Sequence, residues 1–349
     1  VFRRSGATWI GVGTLLAVLG IAGSIAAQTS SDVSTEPIAA STSTAGAAET
    51  GDAQAPTDVH ATAGAPSETA VVTPEKPKAA PYSLPWQLRP VMAANVLRSD
   101  TAIAFYDTPA GSGNTVASML LASYKITPEL APMIRVGMVH SAPPAGENAT
   151  HGLNPVLGLT YAPKIGTNFK LGVFLGVALP IGGGGGDPAS PPHAAANGAG
   201  IQARSSMDNA MFAANYFTVF PGIGLAYTAK GFTVQGEATL LQLTQARGPE
   251  AEDDARTNLT LGVHVGYFVL PVLSFGAELR HQRWLSTPTP VKANSAARDT
   301  STVAFGPRFH VPLSESVWLR PGVALVLPLD DPMKTTDHKI IQIDVPVAF

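Results

Sequence analysis

The sequence predicts an all-β fold: a transmembrane antiparallel up-and-down β-barrel of about twelve strands, behind a disordered N-terminal tail. Three observations predict it. Apolar residues alternate with small or polar ones at period 2 from about Pro85 to the end of the chain. The connections between these segments alternate between short and long. Aromatic residues gather beside the short ones.

The alternation is clearest in Asn168–Pro180, where Phe169, Leu171, Val173, Leu175, Val177 and Leu179 share one face. Asn168, Lys170, Gly172, Gly176 and Ala178 share the other. Asn258–Val269 repeats it, with Leu259, Leu261, Val263, Val265 and Tyr267 opposite Thr260, Gly262, His264 and Gly266. Thr302–Val311 and Ser316–Leu327 do the same. Strands are expected near 91–107, 115–126, 131–140, 152–162, 167–180, 209–228, 232–245, 258–269, 272–284, 302–312, 316–328 and 339–349. Met211–Thr228 changes phase at Pro221-Gly222. Its apolar set is Phe212, Tyr216 and Phe220 before the proline and Ile223, Leu225 and Tyr227 after it, as a one-residue bulge would produce.

A water-soluble sandwich alternates in the same way, so the connections matter. Short ones fall at Thr127–Leu130, Pro163–Gly166, Ala229–Gly231, Leu270–Pro271 and Leu313–Glu315. Long ones fall at 108–114, 141–151, 181–208, 246–257, 285–301 and 329–338. Tight turns at one rim and long loops at the other are the asymmetry of barrels that span a bilayer. Tyr124, Tyr161, Phe169, Tyr227, Phe232, Tyr267, Phe275, Phe309 and Phe349 lie near the short-turn side and face outward by parity, where amphipathic rings meet lipid headgroups. In hydrocarbon an unpaired backbone group is costly, so the sheet must close on itself. Pro307, Pro321 and Pro346 each remove one ladder donor from it.

The chain ends I-I-Q-I-D-V-P-V-A-F, with Ile341, Ile343, Val345, Val347 and Phe349 on one strand face. This resembles the C-terminal strand of bacterial outer-membrane β-barrels. The resemblance implies that these residues are an assembly signal read by the outer-membrane barrel assembly machinery. It also implies a location in the outer membrane of a Gram-negative bacterium, among outer-membrane lipid and lipopolysaccharide. Residues 1–27 read as a signal peptide: Arg3 and Arg4, an apolar core from Trp9 to about Ile21, then the small-residue sites Ser24-Ile25-Ala26 and Ile25-Ala26-Ala27. Residues 28–84, rich in Ala, Ser, Thr and Pro, carry too few large apolar groups to offset the entropy of ordering and read as a disordered periplasmic tail. The barrel is residues 85–349, and no separate plug domain precedes it.

Parity places Arg98, Asp100, Lys125, Arg135, Lys170, Glu237, Glu278, Arg280, Arg308, Arg320 and Asp344 in the lumen, with Gln235, His264, Gln282, His310 and Gln342. Seven of the charged residues are basic and four acidic, an excess of three positive charges. Two readings are open. The lumen is a conduit whose excess charge favours anions, or its Arg–carboxylate pairs brace a closed interior. The glycine run Gly182–Gly186 lacks the following Lys-Ser/Thr of a phosphate loop, so 181–208 reads as a mobile loop and a candidate gate. Glu250, Glu252, Asp253, Asp254, Asp330 and Asp331 fit no EF-hand spacing and read as solvated loop acids. His281 and Arg283 face outward where a strand leaves the membrane, within reach of lipopolysaccharide phosphate or simply snorkelling.

Barrel-borne lipid hydrolases carry a His-x-Ser pairing on an outward strand surface. Neither His140-Ser141 nor His151-Gly152-Leu153-Asn154 matches it, so no catalytic residue is assigned and no enzyme is expected. The chain has no cysteine, which excludes thiol catalysis, thiolate metal sites and disulfides, and no cofactor or metal is expected. A net charge of −3 points to no nucleic-acid partner. The expected function is passage of small solutes through a charged lumen. A closed structural or surface-binding barrel is the alternative.

Overall fold

A computed structural model describes residues 82–249 and 253–349. The expected signal peptide, all of the expected tail before Tyr82, and Glu250 and Glu252 lie outside the described residues. No helix among the described residues is long and apolar enough to cross a membrane.

The strands are β1 (Val96–Thr108), β2 (Gly111–Ser123), β3 (Leu130–Ala142), β4 (Ala149–Gly152), β5 (Val156–Tyr161), β6 (Phe169–Ala178), β7 (Tyr216–Ala229), β8 (Phe232–Gln245), β9 (Ala255–Leu270), β10 (Leu273–Trp284), β11 (Asp299–Phe309), β12 (Val311–Pro312), β13 (Trp318–Leu319), β14 (Gly322–Pro328) and β15 (Lys339–Ala348). They form a closed cylinder of twelve antiparallel staves, because β4–β5, β11–β12 and β13–β14 are each one interrupted stave. β1 pairs with β2 on one side and with β15 on the other, so no edge remains free. Among the described residues there are also three α-helices, α1 (Pro191–Ala203), α2 (Asn209–Phe212) and α3 (Thr289–Ala293), and a 3-10 helix at Ser295–Arg298.

The outward positions carry the predicted lipid face. On β9, Leu261, Val263, Val265 and Tyr267 are exposed while Gly262, His264 and Gly266 between them are buried. All nine predicted belt aromatics are exposed, with Phe169 against Tyr227 and Phe232 against Tyr267 across neighbouring strands. A continuous apolar girdle of this extent has no place on a protein bathed in water, and lipid is the solvent that fits it. At the C-terminus Ile341 and Phe349 are exposed and Ile343 is half-buried. Val345 and Val347, flanked by Ser99 and Leu97 of β1, are buried.

Two expectations are corrected. The predicted loop 108–114 is mostly strand: β1 and β2 pair up to Thr108 and Gly111, leaving Pro109-Ala110 as a two-residue turn. The predicted bulge at Pro221 is absent. β6 and β7 pair in one unbroken register from Phe169↔Tyr227 to Ala178↔Thr218, and the strand begins only at Tyr216, after α2. The apolar set switches parity because Tyr216 and Phe220 point inward, so the interior is greasy there and the strand itself is regular.

The cylinder is filled by two segments. Tyr82–Met92, here called the strap, runs inside the wall before β1. Tyr82, Ser83 and Leu84 are buried in it, so the ordered barrel unit reaches back beyond the predicted boundary at Pro85. The long connection between β6 and β7, here called the lid, folds inward from the opposite rim. Its helix α1 packs against β1, β2, β3 and β4. The strap is a plug, which corrects the expectation that none precedes the barrel.

Candidate functional site

The interior is the candidate site, and glycines shape it. A Cβ on Gly262 would lie 2.7 Å from the Leu88 side chain, and one on Gly224 2.6 Å from Val91. A Cβ on Gly266 would strike Ser83, and one on Gly322 would lie 3.0 Å from the Trp86 indole nitrogen. These inward glycines are the holes into which the strap's side chains fit. Trp86 and Leu88 are each only 1% exposed as a result.

Wall charges hold the strap by its main chain. The Trp86 N–H donates to Glu278 Oε2 at 2.9 Å and the Gln87 N–H to Glu278 Oε1 at 3.1 Å. Glu237 accepts the Arg89 N–H at 2.5 Å and the Arg89 guanidinium at 2.5 Å. Arg308 donates to the carbonyls of Leu84 at 3.1 Å and Pro85 at 3.2 Å, and Arg98 donates to that of Trp86. Asp344 unites the two arginines, with Arg98 Nε at 2.6 Å and Arg308 Nη2 at 2.5 Å. Arg280 bridges Glu278 at 2.7 Å and Gln342 at 2.8 Å. Tyr82 hydroxyl donates to Gln235, which in turn donates to the Arg89 carbonyl at 2.7 Å.

Side chains hold the lid. Arg204 makes a two-pronged contact with Asp100, at 2.7 and 2.6 Å, and its Nε donates to Asp208 at 2.8 Å. Arg135 donates to Asp208 at 2.5 Å. Burial opposes the charge on Asp208, but Arg135 and Arg204 outweigh it and hold its carboxyl well below the usual carboxylate range. Strap and lid meet where the Gln87 amide donates to the Arg204 carbonyl at 2.7 Å and to Asp208 at 3.1 Å.

The glycine run is pinned by three asparagines. Gly182 N–H donates to Asn154 at 2.8 Å, Asn197 donates to the Gly183 carbonyl at 2.9 Å, and Gly186 N–H donates to Asn215 at 2.8 Å. At Gly184 (φ +82°) a Cβ would fall 2.4 Å from Asn197, so the tether requires glycine. His151, hydrogen-bonded to Asn197 at 3.0 Å, and Asn154 are anchors of the lid. The expected mobile loop is thus a folded lid with defined partners.

The remaining predicted residues lie elsewhere. Lys125 is exposed beyond the end of β2, outside the lumen. Lys170 is half-buried near the short-turn rim. Arg320 stacks over Trp318 at 5.5 Å, and its carbonyl accepts from Arg308 at 2.7 Å. Asp253 is buried and bound by Thr289 and Lys292, with Arg256 3.5 Å away, so it joins two loops instead of standing in solvent. His281 bonds Ser301 at 3.0 Å and Arg283 pairs with Asp299 at 3.1 Å on the outer surface. No group of His, Asp and Glu among the described residues could hold a metal ion.

With strap and lid in place, the cavity between them, lined by Gln87, Arg98, Asp100, Arg135 and Phe174, measures about 60 Å³. That is room for a few water molecules. A closed strand cylinder, apolar without and charged within, defines the class: an outer-membrane β-barrel.

No family model matches the chain, and no curated protein does either. Among solved structures it is similar to the KdgM porin, at 9% identity and a TM-score of 0.41, covering 72% of this chain and 99% of that one. It is similar to the NanC porin at 8% identity and 0.43, covering 72% and 98%. It is also similar to the β-domain of the Bordetella autotransporter BrkA at 10% identity and 0.42, covering 73% and 99%. These likenesses are weak, and the functional argument rests on the interior of this barrel.

Proposed function

We propose that this barrel is a gated channel or transporter for small solutes in the outer membrane of a Gram-negative bacterium, reached by signal-peptide export, with the strap as its gate. One observation carries the reading. The charges of the wall are matched to the main chain of a separate segment, because Glu237, Glu278, Arg98 and Arg308 all bind strap peptide groups. Wall charges also pair with one another, Arg98 and Arg308 with Asp344 and Arg280 with Glu278, but a barrel braced for rigidity alone would need no contact with a separate segment. With the strap withdrawn, Arg98, Arg135, Arg280 and Arg308 would face Asp100, Glu237, Glu278 and Asp344, a lumen lined by charges of both signs. Outward lipid and lipopolysaccharide are its surroundings, the terminal strand is its signal to the barrel assembly machinery, and no enzymatic step is part of this reading.

A reversible lock tests it. The chain has no cysteine, and a Cβ on Gly172 would stand 3.5 Å from the Val91 Cβ, within the disulfide range of roughly 3.5–4.5 Å. In planar bilayers the oxidised Val91→Cys, Gly172→Cys protein should be silent and regain conductance on reduction. Deleting Tyr82–Met92 should leave a steadily conducting pore. A deletion variant that folds yet passes no anion, cation or sugar would end the channel reading and leave a closed structural barrel. The full pairing of the buried carboxylates is the observation that favours that second reading.

A further inference from the structure

Beneath the long-loop rim, between the lid and the upper parts of β7–β10, lies a second cavity of about 390 Å³. Its size falls within the range of pockets that take small organic molecules. Phe212 and Leu243, both buried, and Trp284 give it an apolar side. Asn209 gives it a polar one. This residue is only 2% exposed, yet neither its amide nitrogen nor its amide oxygen has a hydrogen-bond partner. Arg256 lines the same cavity, with its guanidinium 4.5 Å above the Tyr216 ring and one arm 3.5 Å from Asp253. Its Nε is buried without an acceptor. Buried polar groups in native proteins are almost always satisfied, so unpartnered groups on two residues that line one cavity beside an apolar wall point to a ligand that completes the set.

We infer that this cavity binds a small amphipathic monocarboxylate, its hydrocarbon body against Phe212, Leu243 and Trp284 and its carboxylate on Arg256 Nε and the Asn209 amide. The single turn of α2 forms the partition below it. Asn209 and Phe212 line the mouth cavity, whereas Ala210 and Met211 line the inner one. A carboxylate seated there would stand one helical turn from the inner cavity that Arg98 and Arg135 line. In naming the solute class for that lumen the inference rests on the transport reading, but binding itself does not require conduction.

The test is calorimetric titration of the full-length protein in detergent micelles with 4-phenylbutyrate, its neutral analogue 4-phenylbutan-1-ol, and acetate. Phenylbutyrate should bind at one saturable site, the alcohol about tenfold more weakly or worse, and acetate not measurably, as loss of charge-assisted hydrogen bonds or of the apolar body requires. Arg256→Gln and Asn209→Leu should each weaken phenylbutyrate and leave the alcohol unchanged. As an independent readout, Trp284→Phe should keep the calorimetric signal while losing the indole emission change on titration. Absence of saturable binding, equal affinity for acid and alcohol, or an emission change that survives in Trp284→Phe would each overturn the inference. A silent bilayer with intact phenylbutyrate binding would overturn only the conduit.

Discussion

The strap meets the wall's charges mostly through its main chain, whereas the lid adds to its main-chain clamps a buried set of side-chain ion pairs. Glu278 and Glu237 accept strap N–H groups, and Arg98 and Arg308 donate to strap carbonyls, so the wall specifies the path of the strap more than its residues. Glycine holes add the shape of Val91, Leu88 and Trp86. The lid depends instead on particular partners: the triangle of Arg204, Asp100 and Asp208, and the asparagine clamps on Gly182–Gly186. A seat made for peptide groups can release and regain an extended segment without altering the wall. A seat made of one arginine fork holds one residue in one place. Asp344 and Asp208 therefore head different sets of contacts, which touch where Gln87 of the strap donates to Asp208 and to the Arg204 carbonyl.

The largest effect is expected at Asp344. Asp344→Ala leaves Arg98 and Arg308 buried without their shared counter-charge, which costs about 3–5 kcal/mol. The midpoint of urea unfolding in micelles should fall accordingly and strap contacts should be lost with it, while lid protection from protease stays close to normal. Equal loss at the lid would show that the two seats are one. A smaller effect is expected at Gly262. Gly262→Ala places a methyl group 2.7 Å from Leu88, an overpacking that costs about 1–3 kcal/mol and should raise the frequency of conducting events. Adding Leu88→Ala should restore closure, since the clash disappears, and failure of that rescue would separate the glycine from the strap.

The smallest effect is one of pH. Asp208 has its carboxyl held below the ordinary range, so its contribution to lid docking is fully present above about pH 4 and is lost only as pH falls further. Cleavage of segment 181–208 by a protease active across the range should be unchanged between about pH 8 and pH 5 and should rise only in stronger acid. Loosening already near neutrality would show that Asp208 is not what holds the lid.

The wall was legible because lipid on one side and a polar interior on the other impose strict alternation on every stave. Leu261, Val263, Val265 and Tyr267 share one face, and the alternation of short and long connections turns that face toward lipid. The filling was less legible. Tyr82-Ser83-Leu84-Pro85-Trp86-Gln87-Leu88 alternates as a strand would, but Pro85 and Pro90 interrupt it, and its partners are side chains from strands distant in sequence. The usable signal was on the opposite wall, where Gly172, Gly224, Gly262 and Gly266 occupy inward positions that a self-filled barrel would give to large side chains. Phe220 misled for the same reason: an aromatic facing a strap residue, with Arg89 5.7 Å from its ring, looks in sequence like an outward residue out of phase. In the lid, Arg204 and Asp208 stand four apart as an ion pair, yet nothing local announces that Asp100 and Arg135 complete the set.

The Arg98–Asp344 pair spans the junction between the first stave and the last, and the strap sits on both of them. Its berth therefore does not exist until the ring has been sewn shut. The stretch that leaves the ribosome ahead of every stave must wait for the final one before it can settle, so an occupied berth certifies a finished cylinder.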